Sequence, residues 1–413
     1  MPFTFFKNTL IKCLPITLLF CFSCGSQNND PKETPETENT AQELVARVLP
    51  GIYDVEAYLP LLKEKKVGIV ANPTSVFSED VNKQHLVDFL LSEAITVTKV
   101  FSPEHGFRGT ADAGEHVKDG VDSKTGLPIF SLHGKNRKPT PQQMEGLDVM
   151  VFDIQDVGVR FYTYLSTLHY VMEACAEANI PLLVLDRPNP NGRFVDGPMM
   201  EPEHKSFLGL HPVPLVYGMT IGEYAQMING ENWLSEGLKC ELIVIALKGY
   251  THQTFYHLPV RPSPNLPNDI AIYLYPSLGL LEGTNLNAGR GTEMQFQIMG
   301  SPYLPKEKYS FHYTPEPNFG SKNPKFNGKE CYGIDLRNTS RLTKVELTWM
   351  VEAYQNYEKK SAFFNTENFT KHAGTATLQK QIEAGKTAEE IRESWSSGLE
   401  KFNTIRSKYL LYD

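Results

Sequence analysis

Four short, almost unbroken apolar runs mark the first half of the chain: Val67-Gly-Ile-Val-Ala71, Ile95-Thr-Val-Thr-Lys-Val-Phe101, Val149-Met-Val-Phe152 and Pro181-Leu-Leu-Val-Leu185. They are rich in β-branched residues and do not alternate with polar positions, the pattern of strands buried on both faces of a parallel sheet. Glu241-Leu-Ile-Val-Ile-Ala-Leu247 is a fifth candidate. Between the third and fourth runs, Leu165, Leu168, Val171, Met172 and Cys175 recur at helical spacing, with Ala174, Ala176 and Ala178 favouring helix. Asn179 and Pro181 stop that helix. A second helix is predicted to begin at Thr220, whose hydroxyl caps the turn while Glu223 completes a capping box. Strands alternating with helices predict an open α/β sheet.

Each of the first four runs leads into a polar cluster: Asn72-Pro-Thr74, Ser102-Pro-Glu-His-Gly106, Asp153-Ile-Gln-Asp156 and Asp186-Arg-Pro-Asn189. Ligands of open parallel sheets gather outside the carboxyl ends of the strands, so the four clusters are expected to line one cleft. Any one of them alone would pass for an ordinary polar loop.

Pro259 to Pro267 (PVRPSPNLP) is too proline-rich for a regular element and signals a boundary. Beyond it, Gly279-Leu-Leu-Glu-Gly-Thr-Asn285 and Gly289-Arg-Gly-Thr292 form a glycine-rich polar stretch suited to packing over the first cleft. The remainder is rich in aromatics and ends in helix around Ala388 to Tyr409. The expected division is residues 49–264 for the sheet domain and 265–413 for a smaller α+β domain.

The N-terminus changes the picture. Lys7 and Lys12 precede the apolar stretch Leu14 to Phe22, which runs into Ser23-Cys24-Gly25. This reads as a signal peptide over residues 1–23, with Cys24 as the lipidated first residue of a lipoprotein. The apolar core, about 9 residues, falls well short of the roughly 20 that span a bilayer. Residues 24–48, including QNNDPKETPETENTAQ, lack the bulk to bury a core and are expected to form a flexible tether to a membrane. The envelope location is read as periplasm-facing, with the cell surface as the alternative.

Beyond the tether, roughly 365 residues exceed what one core usually supports. Lys and Arg number 40 against 48 Asp and Glu, without a basic cluster, so a nucleic-acid partner is not expected. Cys175, Cys240 and Cys331 are scattered and odd in number, which argues against a disulfide framework.

Neither GxxxxGK[ST] nor a strand-linked GxGxxG is present, so no nucleotide cofactor is indicated. The GxSxG elbow of serine hydrolases and the HExxH and paired CxxC metal motifs are missing too. Glycoside hydrolysis requires a carboxylic acid to protonate the leaving oxygen, and usually a second group at the oxocarbenium centre. Glu104, held by Pro103 at a strand end, can serve as the first; its plainer role is to cap the following turn. His105 can orient it, relay a proton or make a structural hydrogen bond. Asp153 and Asp156 are candidates for the second carboxylate, or for loop anchors. Glu282 is a further one, from the second domain. Glu104, His105, Asp153 and Asp156 can alternatively be read as metal ligands of a hydrolase, although no metal is expected. Arg160, Arg187 and Arg290 offer forked donors to an anionic ligand, or solvated and salt-bridged arginines. Tyr162 and Tyr164 can stack on a sugar or pack a helix onto the sheet. Asn72 and Asn189 in the strand-end clusters, and Asn285 in the glycine-rich stretch, join the substrate-binding candidates.

Taken together, SPEHG (102–106), VFDIQDVGVRFYTY (151–164), LDRPNP (185–190), SPN (263–265) and LLEGTN (280–285) resemble the exo-β-N-acetylmuramidase family NamZ, formerly a domain of unknown function. The resemblance runs from about Gly51 to the C-terminus with the motifs in family order. It implies a Rossmann-like open parallel sheet domain followed by a smaller α+β auxiliary domain, with the active site between them and no cofactor. It also implies release of N-acetylmuramic acid from the non-reducing end of peptidoglycan fragments of the MurNAc-GlcNAc type, in cell-wall turnover or salvage. The glutamate of SPEHG, here Glu104, is implied as the catalytic one. The lactyl carboxylate of that sugar gives the arginines a reason: Arg160, Arg187 or Arg290 would distinguish it from N-acetylglucosamine. The opposing reading is an envelope lipoprotein that binds the glycan without cleaving it.

Overall fold

The computed structural model describes residues 47–77, 83–109 and 119–413. The signal-peptide, Cys24 and most of the tether readings lie outside those residues. Within them, the apolar runs become strands β1 (Lys66–Ala71), β2 (Thr96–Ser102), β5 (Val149–Asp153), β6 (Leu182–Leu185) and β7 (Leu242–Ile245). Two short strands, β3 (Gly120–Val121) and β4 (Pro128–Ser131), extend one edge. The sheet has seven strands in the order β3-β4-β2-β1-β5-β6-β7, and each neighbouring pair is parallel except β3–β4. Val70 of β1 lies opposite Phe101 on one side and Phe152 on the other.

The absence of alternation in these runs has its physical counterpart in two cores, one on each face. Val67, Ile69 and Ala71 of β1 pack with Val149 and Val151 of β5 on one face, while Val70, Met150 and Phe152 point to the other, the two-residue period of a strand. Helices α1 (Val55–Leu62) and α2 (Leu86–Ser92) cover the first face through Tyr58, Leu62, Leu86 and Leu90. The opposite face is covered by α3 (Pro141–Met144), α4 (Tyr164–Ala178) and α5 (Ile221–Gly230). Asn179 ends α4 in the left-handed conformation, φ 52°, and Thr220 with Glu223 forms the expected capping box at the start of α5.

The second part begins with α6 (Asp269–Leu278) and carries a three-stranded antiparallel sheet of β8 (Ile298–Ser301), β9 (Phe311–Tyr313) and β10 (Cys331–Asp335), ordered β8-β10-β9. Helices α7 (Thr348–Asn356) and α8 (Thr366–Ala373) follow. The core under α4 and α5 continues without a break into Leu278, Phe296, Phe363 and Phe369 of this part. The helical end expected around Ala388 to Tyr409 is two helices, Ala388–Glu393 and Ser396–Arg406. Between them the Ser394 hydroxyl bonds back to the Ile391 carbonyl and accepts from Gln381, so a side chain competes with the helical ladder. Among the described residues no helix is long and apolar enough to cross a membrane.

The last residues of the chain are bound into the sheet domain. Fully buried Glu223 accepts from the main-chain N–H groups of Leu411 and Tyr412 (2.8 and 3.3 Å), and the Tyr412 hydroxyl donates to buried Asp186 at 2.7 Å.

Candidate active site

Strands β2, β1, β5 and β6 are successive neighbours, so the four polar clusters that follow them share one edge of the sheet. After β2 the chain turns at once: the Gly106 N–H donates to the Pro103 carbonyl at 3.2 Å, enclosing Glu104 and His105. His105 has φ 74°, where glycine is usual in such a turn, and its side chain is buried. Pro103 and this unusual backbone together fix the direction in which half-buried Glu104 leaves the strand.

Glu104 is met by the start of α4. The Thr163 hydroxyl donates to its Oε2 at 3.1 Å, and the Tyr164 hydroxyl donates to its main-chain carbonyl at 3.4 Å. Tyr164 is oriented by Asn72, whose Nδ2 donates to the phenol oxygen at 2.9 Å. The Oδ1 of Asn72 is taken by the Thr74 amide and hydroxyl (2.9 and 2.6 Å). Burial, with the charge of Glu104 added, pushes the Tyr164 phenol well up, so it stays a neutral donor. Tyr162 packs edge-on against Tyr164 (centroids 4.8 Å apart) and donates its hydroxyl to the Pro262 carbonyl at 2.5 Å. Both tyrosines are buried, and packing is the role this structure gives their rings.

The other acids of this edge are committed to the fold. Asp153 is wholly buried and gripped at both oxygens by Arg187, 2.5 Å from Nε and 2.9 Å from Nη2. Burial raises the Asp153 carboxyl even with Arg187 opposing it. Asp156 accepts from the Gly158 amide at 2.7 Å and from the Tyr217 hydroxyl; burial lifts it to about 6. With Asp153 held by a guanidinium and Asp156 turned to Tyr217, the set Glu104, His105, Asp153 and Asp156 is not arranged as metal ligands.

Arg160, expected to reach an anionic ligand, does not. It is 2 % exposed, and its Nη groups donate to the carbonyls of Pro198, Val213, His372 and Ala373 at 2.6 to 3.3 Å. The last two are carbonyls at the end of α8, so Arg160 caps a helix of the second part. Gly374, at φ 72°, ends that helix, and a Cβ there would lie 2.5 Å from Arg160 Nη2. Arg187 is likewise turned to Asp153 rather than outward. Asn189 spends Nδ2 on the Met219 carbonyl and Oδ1 on the Asn191 amide, both at 2.8 Å, and so shapes the loop.

Opposite Glu104, the second part supplies a different set. Glu282 and Arg290 pair through Oε1 and Nε at 2.9 Å, both about a quarter exposed. The Lys325 ammonium lies within 2.9 to 3.2 Å of the carbonyls of Leu281, Glu282, Thr284 and Leu286, and so fixes the loop that carries Glu282 and half-buried Asn285. The Nδ1 of His372 donates to the Asn368 carbonyl at 2.9 Å, and burial lowers its ring below the ordinary histidine value. Tyr275 stands between the two sides: burial raises its phenol, with Arg290 opposing and the charges of Glu282 and Glu104 adding to the rise.

Two family models divide this same stretch of chain. Residues 67–270 match the model described as exo-beta-N-acetylmuramidase NamZ, N-terminal, and residues 273–412 match its C-terminal counterpart. The chain belongs to the NamZ family. It is 37% identical over 426 residues to the peptidoglycan beta-N-acetylmuramidase NamZ of Bacillus subtilis (strain 168), covering 98% of this chain and all of that one. Two crystal structures of DUF1343 family proteins from Bacteroides fragilis NCTC 9343 superpose with TM-scores of 0.81 and 0.76, at 44% and 29% identity. Each comparison covers 89% of this chain and 99% of the other.

The NamZ N-terminal match contains Asn72, Glu104, Tyr162 and Tyr164; the C-terminal match contains Glu282, Asn285 and Arg290. Thr163, Tyr275, Lys325 and His372 were not singled out from the sequence. Thr163 lay inside a motif read for its aromatics. Lys325, in an Asn-Pro-Lys-Phe-Asn segment, and His372, in an ordinary helical one, carry no spacing signal.

Proposed function

We propose that this chain is an exo-acting glycoside hydrolase that releases N-acetylmuramic acid from the non-reducing end of peptidoglycan fragments, with Glu104 as general acid. Membership of the NamZ family and the relative in Bacillus subtilis support the activity. The observation that carries the residue assignment is that Glu104 is less deeply buried than the other acids of the sheet edge. Asp153 and Asp156 are bound into the fold, whereas Glu104 is half-buried and accepts from the Thr163 hydroxyl. Its carboxyl group is the one to carry the proton to the glycosidic oxygen. Tyr164, anchored by Asn72, holds the main chain of Glu104 in place during the transfer. Glu282 is a further carboxylate near Tyr275, whose phenol, raised by burial, both it and Glu104 push up.

The test is release of free N-acetylmuramic acid from a MurNAc-GlcNAc disaccharide by the full chain and its Glu104→Gln variant. Turnover lost in a variant that folds and still binds the disaccharide is the expected result. Equal turnover in both would move the acid elsewhere, and binding without turnover in either would favour a glycan-binding lipoprotein.

The sequence around Cys24 supports a lipid anchor, and with it an envelope location facing the periplasm. Membrane fractionation of the chain and its Cys24→Ala variant tests this, since a soluble variant beside a membrane-bound parent is required.

A further inference from the structure

N-acetylmuramic acid differs from N-acetylglucosamine in one respect that electrostatics can read: a lactyl carboxylate on O3. Three arginines were candidates to receive it, and the structure separates them. All four Nη protons of Arg160 are engaged by main-chain carbonyls, and Arg187 is spent on Asp153. Arg290 uses only Nε, toward Glu282, while its Nη edge has no hydrogen-bond partner among the described residues. It is also electrostatically coupled to Glu104.

The support behind Arg290 is that of a built receptor. Gly289 and Gly291 flank it at φ 78° and 81°, and a Cβ on either would come within 2.6 Å of Met294 O or Pro324 Cβ. Asn287 Nδ2 donates to the Arg290 carbonyl at 3.0 Å and to the Lys325 carbonyl at 2.9 Å. The guanidinium carbon sits 5.4 Å from the centre of the Phe296 ring. Against burial, Arg290 and Lys325 both bear on Glu282 and hold its carboxyl down, so two basic side chains stand beside one carboxylate here.

We propose that the Nη edge of Arg290 receives the lactyl carboxylate and is the residue by which this enzyme prefers muramic over glucosamine termini. Resting on the exo-muramidase reading, the inference adds what that reading leaves open, the origin of the sugar preference. Glu282 acts as a positioning residue, holding Nε so that both Nη groups point outward as a fork. Lysine at this position keeps the charge and loses the fork.

The experiment compares kcat/KM for the 4-nitrophenyl β-glycosides of N-acetylmuramic acid and N-acetylglucosamine in the parent chain, Arg290→Lys and Arg290→Ala. The expected result is a preference for the muramic glycoside that falls about 100-fold in Arg290→Ala and by less in Arg290→Lys. Equal losses on both substrates, leaving the ratio unchanged, would overturn the inference while leaving the activity itself standing. If the parent hydrolyses neither glycoside nor the disaccharide, it is the underlying activity that fails. Calorimetric binding of the two free sugars to Glu104→Gln, with and without Arg290→Ala, reads the same preference without turnover. An unchanged ratio of affinities there would also overturn it.

Discussion

Replacing Arg187 by Met strands Asp153 with no counter-charge in a site wholly shielded from water. Removing one partner of a buried ion pair costs about 3 to 5 kcal/mol, because the remaining charge keeps its desolvation penalty and loses what offset it. The upper half of that range applies here. Both carboxylate oxygens are bonded to the guanidinium, and the Asp153 main-chain carbonyl is held separately by the Ser75 hydroxyl, so the acid cannot swing toward solvent. Urea unfolding followed by tryptophan fluorescence measures the loss. With a slope of about 3 kcal/mol per molar, the midpoint should fall by roughly 1.5 M. Asp153→Leu alone should cost a similar amount, and the double variant should recover most of it, since an apolar pair carries no desolvation debt. The coupling energy is the decisive quantity: if the two single losses simply add to within about 0.5 kcal/mol, the ion-pair account is wrong. A separate outcome would return Asp153 to the chemistry, namely an Asp153→Asn variant of parental stability that has lost turnover.

Asp156 sets a pH dependence. Its folded value, lifted by burial to about 6, exceeds the roughly 3.9 of an unfolded aspartate, so the folded chain binds the proton more tightly. Its contribution is therefore full below about pH 4 and is lost as pH rises to about 6, a change of about 2 to 3 kcal/mol. Asp156→Asn should gain stability relative to the parent between pH 4 and pH 7; parallel curves would contradict this. Lys325→Ala empties a ring of four carbonyls, and the freed loop should lower kcat/KM about 100-fold by misplacing Glu282 and Arg290. Millimolar methylammonium should restore part of that activity, and a folded variant that shows no rescue would refute the positioning role. Deleting residues 411–413 removes two donors from Glu223 and one from Asp186. At about 1 to 3 kcal/mol for each buried carboxylate left short, thermal unfolding should fall by many degrees, and an unchanged midpoint would show the tail to be dispensable.

How legible this molecule was depended on the range of the interaction concerned. β1, β2, β5 and β6 could be read because a doubly covered strand needs apolar side chains on both faces, a local pattern. α4 and the Thr220 capping box were likewise local. Glu104 stands out as a candidate because a proline-bounded acid at a strand end is a sequence event. β3 was missed, being two exposed residues whose pairing with β4 leaves no hydrophobic trace. The arginines were indistinguishable for a different reason: Arg160 meets partners as far as 213 residues away, and only folding decides which guanidinium is consumed internally. Lys325 is the same case, an unremarkable surface-type residue until four distant carbonyls close on it.

Arg160 also bears on inheritance. The chain carries two family models and looks divisible near residue 271, yet one side chain from the first match supplies the helix cap of the second. A hybrid joining the first half of one relative to the second half of another would fuse correctly at the linker and still misfit at Arg160. The pieces exchange only if residue 160, its carbonyl partners at 198 and 213, and the 372–374 turn travel as a matched set, so the two parts are bound to diverge together.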